Sequence, residues 1–111
     1  MATAEEVEQS LYVLMERLHA SGAEAHTIPD RSIICFVPDL ETAFWTELKG
    51  ARFYGLTEVE PGTVADARIT ARSDDLIALI DGRLHVGFAF ITGKIRIDAS
   101  AADLMMIRHL L

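Results

Sequence analysis

The chain has 111 residues, a length typical of one domain, and half of its residues are apolar. Its formal net charge is −7 and it has no basic run, which argues against nucleic-acid binding, because phosphate contacts supply most of that affinity. No apolar stretch approaches the ~18 residues of a membrane span, and the single cysteine excludes an internal disulfide. We therefore expect one domain over residues 1–111, located in the cytoplasm.

The predicted elements follow one another in an order typical of an α+β fold. The first is an amphipathic helix over residues 3–20, whose start matches a capping box formed by Thr3 and Glu6. After it come strands at residues 33–37, 43–49, 52–58 and 65–72, helices at 73–81 and 84–91, a strand at 94–97 and a last helix from residue 100 to the chain end. Short turns join the first three strands, which favours an antiparallel meander. We predict a five-stranded, mostly antiparallel sheet with helices covering one face.

Motifs for catalysis or metal binding are absent from the sequence. The four histidines, His19, His26, His85 and His109, share no ligand spacing, and Cys35 lies in an apolar strand where a thiol is ordinarily inert. These observations predict neither a metal site nor a cofactor, and they favour a protein that is not an enzyme. An enzyme whose site is assembled from scattered residues stays as an alternative.

Basic side chains alternate along the predicted strands, at Arg68, Arg72, Lys94 and Arg96. The favoured interpretation is a solvated outer face of the sheet. A sharper alternative is weak docking to anionic lipid headgroups, so we expect at most transient contact with a membrane surface.

The last quarter of the chain is more apolar than surface helices need to be. Apolar residues surround the whole circumference of the predicted helix over 84–91 and of the helix from residue 100 onward. Three explanations stay open at this point. The extra apolar face is part of a tightly packed core, forms a homodimer interface, or lines a cavity for an apolar ligand.

Three segments resemble the sterol carrier protein type 2 family, in the same order and with the same spacing. They are ADARIT at residues 65–70, SDDLIALIDGRL at 73–84 and AFITGKIRI at 89–97, and a looser match covers IICFV and the strand that Trp45 begins. The resemblance implies a hydrophobic tunnel between sheet and helices that binds sterols, fatty acids or fatty acyl-CoA. It also implies binding and transfer of such a ligand, with no reaction carried out by the domain itself.

The surplus apolar side chains are the residues we expect to line this tunnel, with two aromatic residues as partners on the sheet side or at its rim. The predicted ligand-binding residues are Phe88, Phe90, Ile91, Met105, Met106 and Leu110, together with Phe36 and Trp45. The predicted partner is therefore a lipid or another apolar small molecule. The alternative is a lipid-free module of the same fold, which uses its apolar face for homodimerisation or to bind another protein.

Overall fold

A computed structural model describes residues 2–20, 30–49 and 52–104 of the chain. Over these residues it contains three α-helices, one short 3₁₀ helix, five strands and a last helical turn at residues 101–104. In chain order the elements are α1 (Ala4–Ala20), β1 (Arg31–Val37), the 3₁₀ helix Pro38–Leu40, β2 (Thr42–Lys49), β3 (Arg52–Val59), β4 (Ala67–Ala71), α2 (Ser73–Ile80), α3 (Val86–Ile91) and β5 (Ile95–Asp98). The α+β prediction is confirmed.

The five strands form one mixed sheet in the order β3-β2-β1-β4-β5. Three of the four neighbouring pairs are antiparallel, as predicted, and β1, β2 and β3 form the expected meander. The central pair of β1 and β4 is parallel, which the sequence did not indicate. The reason is that the chain leaves β3 at one edge, crosses past β2 and β1, and adds β4 on the far side of β1 in the same direction as β1.

Two carboxylates anchor the segments that the family resemblance singled out. Asp66 Oδ2 accepts hydrogen bonds from the backbone N–H and the hydroxyl of Ser32, at 2.9 and 3.0 Å, and so ties the start of β4 to β1. These bonds hold the pKa of Asp66 below its usual range. Asp39 accepts from the N–H and hydroxyl of the buried Ser73 at 2.8 and 2.6 Å, which fixes the start of α2.

Helix α1 begins at the predicted capping box. The Thr3 hydroxyl accepts from the backbone N–H of Glu6 at 3.2 Å, and a Glu6 carboxylate oxygen accepts from the N–H of Thr3 at 3.1 Å. Val7 and Leu11, one turn apart, are buried against the sheet. At the far end, Arg17 Nη1 donates to the backbone carbonyl of Ile80 at 2.9 Å, which connects α1 to the end of α2.

The helices lie on one face of the sheet, called here the inner face. Strand register places Cys35 opposite Phe44 and next to Ile69 on this face, and the core forms there between the sheet, α1 and α2. Ile95 is buried in the same core, and Ile97, two residues further along the strand, packs against it. The opposite face, called the outer face, carries the neighbouring residues of each strand.

The last elements depart from the predicted boundaries by one or two residues. Helix α3 begins at Val86 rather than residue 84, and Gly93, with a φ of +77°, ends it in the left-handed conformation. At the final helical turn, the hydroxyl of Ser100 accepts from the backbone N–H of Asp103 at 3.2 Å, as expected of a helix start. Residues 105–111 of the predicted last helix lie outside the described residues.

Candidate functional site

A cavity of about 420 Å³ lies between the inner face of the sheet and the helices. Its floor consists of strand side chains: Ile33, Cys35, Phe44, Thr46, Phe53, Leu56, Ile69 and Ile95. Its walls come from α1, α2 and the connection into α3: Leu11, Leu14, Met15, Arg17, Leu76, Leu79, Ile80, Gly82, Leu84, His85 and Val86. Most of these side chains are apolar, so the cavity offers little to a ligand beyond hydrophobic contact.

The polar groups on the cavity floor are already satisfied or neutral. The Thr46 hydroxyl donates to the backbone carbonyl of Gly55 at 2.7 Å. Gly55 has a φ of +71° next to the shift in register between β2 and β3, a conformation that glycine adopts at low cost. Burial raises the pKa of the Cys35 thiol to about 12, so this side chain is uncharged and unreactive near neutral pH.

Two polar side chains mark the mouth of the cavity. Arg17 and His85 both belong to the lining and both are exposed to solvent. Arg17 is held by its hydrogen bond to the carbonyl of Ile80, and His85 Nδ1 accepts from the backbone N–H of Gly87 at 3.1 Å. The cavity therefore has an apolar interior and a polar end that faces water.

Phe36 and Trp45, the predicted partners on the sheet side, lie on the outer face. Their register neighbours show this, since Trp45 pairs with Ile34 while the inner-face residues Cys35 and Phe44 pair with each other. Neither Phe36 nor Trp45 is among the residues that line the cavity. The floor is built from the other set of alternating side chains, and ligand contact by Phe36 and Trp45 stays a prediction.

Phe88, Phe90 and Ile91, which we expected in a tunnel, lie on the solvent side of α3. Their exposed fractions are 57%, 37% and 85%, and none of them lines the cavity. In this helix the small residue Ala89 is buried, and Val86 lines the cavity. The large side chains of α3 are thus outside the cavity lining, and their contact with a ligand stays a prediction. The remaining predicted residues, Met105, Met106 and Leu110, lie outside the described residues.

The sequence carries a periodicity signal for the residues that line the cavity. Leu11, Leu14 and Met15 stand on the apolar face of α1, and Ile69 and Ile95 alternate with polar neighbours in their strands. Helical and strand periodicity identify an inward face. Periodicity does not distinguish side chains that touch each other from side chains that leave a space between them.

The basic side chains of the predicted stripe are engaged separately. Arg68 Nη1 donates to the backbone carbonyl of Pro61 at 2.8 Å, and its guanidinium lies 4.7 Å from the ring centre of Phe36. Lys94 lies 3.7 Å from a carboxylate oxygen of Asp75. These contacts agree with a solvated, locally paired surface rather than with a continuous basic stripe.

Comparison with known proteins gives matches in three-dimensional structure alone. No protein-family model matches the chain, and no curated protein matches its sequence. A crystal structure of sterol carrier protein 2 superposes with a TM-score of 0.65 at 20% identity, covering 88% of this chain and 83% of that one. The chain has the fold of sterol carrier protein 2.

Two further structures show how this fold occurs elsewhere. A palmitated sterol carrier protein 2-like protein from Aedes aegypti has a TM-score of 0.60 at 16% identity, covering 88% of this chain and 90% of that one. A stereoselective inverting sec-alkylsulfatase from Pseudomonas sp. has a TM-score of 0.66 at 19% identity, covering 88% of this chain. This chain spans 15% of the alkylsulfatase, so there the sterol carrier protein 2 fold is part of a larger enzyme.

Among the described residues, no helix of this sterol carrier protein 2 fold combines the length and apolarity required to cross a membrane.

Proposed function

We propose that this chain is a non-catalytic binding domain, and a carrier, for a lipid or other ligand with an apolar chain, held in the cavity between sheet and helices. The observation that carries the proposal is the cavity itself. Its 420 Å³ fall within the range of about 300–1,000 Å³ typical of small-molecule pockets, and its lining is mainly apolar. A cytoplasmic location, expected from the sequence, belongs to the same proposal.

Hydrophobic burial supplies the affinity in this proposal. Each buried methylene contributes about 0.8 kcal/mol, so a chain of ten methylenes gains roughly 8 kcal/mol before the cost of association is subtracted. The Thr46 hydroxyl on the cavity floor is already bonded, and the Cys35 thiol is neutral. The cavity floor therefore offers a buried ligand group few hydrogen-bond partners, and we expect the buried part of the ligand to be mainly hydrocarbon.

The polar end of the cavity sets the orientation of the ligand. Arg17 and His85 line the mouth and are exposed to solvent, so the head group of an amphiphile stays hydrated beside them while its chain enters. Arg17 carries a permanent positive charge, which favours a negatively charged or strongly dipolar head group. The palmitated neighbour from Aedes aegypti supports an acyl chain as the ligand class.

The direct experiment measures binding of palmitate to the purified chain by native mass spectrometry and calorimetry. We expect one palmitate per chain and at least a tenfold loss of affinity in Leu79→Trp, which places a larger side chain in the cavity wall. Phe36→Trp is the matched control, since it makes a comparable enlargement on the outer face and should bind palmitate as the wild type does. Absence of a complex, or equal losses in both variants, would contradict the proposal.

A second candidate function is an interaction module, and the exposed face of α3 favours it. Phe88 and Ile91 are 57% and 85% exposed, more than large apolar side chains ordinarily are. The alkylsulfatase shows that this fold also occurs as part of a longer enzyme. Light scattering of the wild type and of Ile91→Glu distinguishes the two functions. A dimer that dissociates in the variant, combined with no palmitate binding, would favour the interaction module.

A further inference from the structure

The start of α3 is capped by a histidine, an uncommon residue for that position. His85 has extended backbone dihedrals, and its Nδ1 accepts the hydrogen bond from the backbone N–H of Gly87 at 3.1 Å. The first N–H groups of a helix have no partner within the helix, so an acceptor at this position stabilises the first turn. An imidazole nitrogen can accept only while it carries no proton.

Gly87 is fitted to this imidazole. A Cβ at position 87 would lie 3.2 Å from both Nδ1 and Cε1 of His85, closer than ordinary van der Waals contact. The ring reaches the N–H of Gly87 because no side chain stands between them. The short distances and the hydrogen bond describe the same placement of the ring over the first turn of α3.

The capped turn forms part of the cavity mouth. Leu84, His85 and Val86 all line the cavity, while Ala89 is the one fully buried residue of the six in α3. A short helix with so little buried surface depends strongly on its caps. Loosening of its first turn would therefore open the mouth without disturbing the core under α1 and α2.

We propose that His85 and Gly87 form a pH-sensitive latch on the cavity. Neutral His85 accepts from Gly87 and holds α3 closed. Protonation at Nδ1 removes the acceptor and places a positive charge at the positive end of the helix dipole, so the first turn of α3 loosens and the mouth opens. Histidine is the side chain whose charge ordinarily changes within the physiological pH range.

In the part of the chain that the structure describes, the surrounding charges give a protonated His85 no ion-pair partner. The charged side chains of the elements around His85 are Arg17 of α1, Asp75 and Asp81 at the two ends of α2, Arg83 of the connection and Lys94 after α3. The two carboxylates are already paired with the two cations that follow them. Among the described residues no carboxylate pairs with His85, and the charged group that lines the cavity with it is the cation Arg17.

Hydrogen exchange of the ligand-free chain tests the latch without reference to any ligand. Between pH 7.5 and pH 5.5, corrected for the intrinsic rate of exchange, we expect protection of the α3 amides to fall about fivefold, as for the loss of a typical helix cap. His85→Asn keeps an uncharged acceptor at the cap and should show protection that does not change with pH. Protection that is independent of pH in the wild type, or that falls equally in His85→Asn, would overturn the proposal.

Gly87→Ala provides a second test, because helix propensity and the latch predict opposite effects of this substitution on the protection of α3. Alanine ordinarily stabilises a helix relative to glycine, so propensity alone predicts higher protection of α3. The latch predicts lower protection at pH 7.5, close to that of the wild type at pH 5.5, because the new Cβ displaces the imidazole. Higher protection in Gly87→Ala would rule out the latch.

Ligand release links the latch to the proposed function, on which this last step rests. A fluorescent fatty alcohol is a suitable probe because it does not ionise between pH 5.5 and 7.5. We expect its dissociation rate to rise about fivefold at the lower pH in the wild type and to stay unchanged in His85→Asn. A probe that binds at neither pH would contradict the binding function while leaving the exchange result for the latch intact. Binding with equal dissociation rates would contradict the latch.

Discussion

The two faces of the sheet both carry large apolar side chains, but they are covered in different ways. On the inner face, Cys35 and Phe44 lie under helices and border a cavity. On the outer face, Ile34 has no exposed surface and lies between Trp45 of β2 and Arg68 of β4. Its neighbours include Phe36, over which the Arg68 guanidinium lies at 4.7 Å.

This difference shows that apolar content does not locate a binding site. Helices are separated from a sheet by the length of the side chains between them, so covering a sheet with helices can leave a space. On the outer face, the Arg68 guanidinium lies over the ring of Phe36 and is held there by the carbonyl of Pro61. The way a face is covered therefore decides whether it can bind a ligand.

The largest effect is expected from removing one phenylalanine on each face. Phe44→Ala removes a buried ring, and such changes cost about 3–5 kcal/mol of the free energy of unfolding. Phe36→Ala removes a half-buried ring and should cost about 1 kcal/mol, because less apolar surface is lost. Urea denaturation of both variants measures the difference. Equal losses would show that the outer face is as tightly packed as the inner face.

Thiol reactivity compares adjacent positions on the two faces. Cys35, whose pKa is about 12, should be about one part in ten thousand thiolate at pH 8, against roughly a quarter for an ordinary thiol. We expect a disulfide reagent to modify Cys35 about a thousandfold more slowly than the cysteine of a Phe36→Cys, Cys35→Ala variant. The rate for Cys35 should still be rising at pH 10. Similar rates at the two positions would mean that position 35 is open to water.

Acid unfolding tests the two carboxylates that anchor neighbouring elements, Asp39 at the start of α2 and Asp66 at the start of β4. Burial alone would raise the pKa of Asp39, but the hydrogen bonds from Ser73 outweigh it and hold that pKa below its usual range, and the bonds from Ser32 do the same for Asp66. A lowered carboxyl pKa gives stability that is present above the ordinary value of about 3.9 and is lost as pH falls through the lowered value.

Thermal unfolding between pH 7 and pH 2 is the measurement for these two anchors. We expect Asp39→Asn and Asp66→Asn to have lower melting temperatures than the wild type at pH 7. In acid, the difference in melting temperature between each variant and the wild type should become smaller. Glu58→Gln, at an exposed position, is the control and should follow the wild-type curve. A difference in melting temperature that stays constant down to pH 2 would show that the charges of Asp39 and Asp66 do not contribute to stability.

The smallest expected effect concerns the cation on the outer face. Arg68→Met keeps an apolar side chain over Phe36 but removes the charge, and exposed cation–π contacts contribute about 0.5–1 kcal/mol. Arg96→Met, beside Asp98 on the exposed part of β5, should change stability by close to zero. Overlapping denaturation curves for the two variants would show that the charge of Arg68 does not stabilise the outer face.

The sequence was sufficient for the elements and the fold class but not for the parallel pair. Helical and strand periodicity depend on neighbouring residues, and the cap at Thr3 and the turn at Gly93 are local signals. The partner of β4 depends on Asp66 reaching Ser32, 34 residues earlier in the chain. No local pattern encodes such a contact, although the family resemblance included the segment that makes it.

The site could be predicted as a place between sheet and helices, but not by its residues. Every position of the segment Ile-Ile-Cys-Phe-Val in β1 is apolar, so alternation does not reveal which side chains face the helices. In α3 the size of the side chains was misleading, since the close approach to the sheet suits Ala89 while Phe88 and Ile91 face solvent. The prediction selected large aromatic residues, whereas most of the residues that line the cavity are aliphatic.

The parallel pairing of β1 with β4 has a consequence for how the chain reaches its native state. During synthesis the meander of β1, β2 and β3 emerges first, and one long edge of β1 then waits for β4 with its backbone groups unpaired. Such an edge, next to the apolar Ile33 and Ile34, can pair with another nascent copy. The rate at which residues 60–71 arrive therefore sets how long this chain is exposed to aggregation, so slow translation there should lower its yield more than slow translation elsewhere.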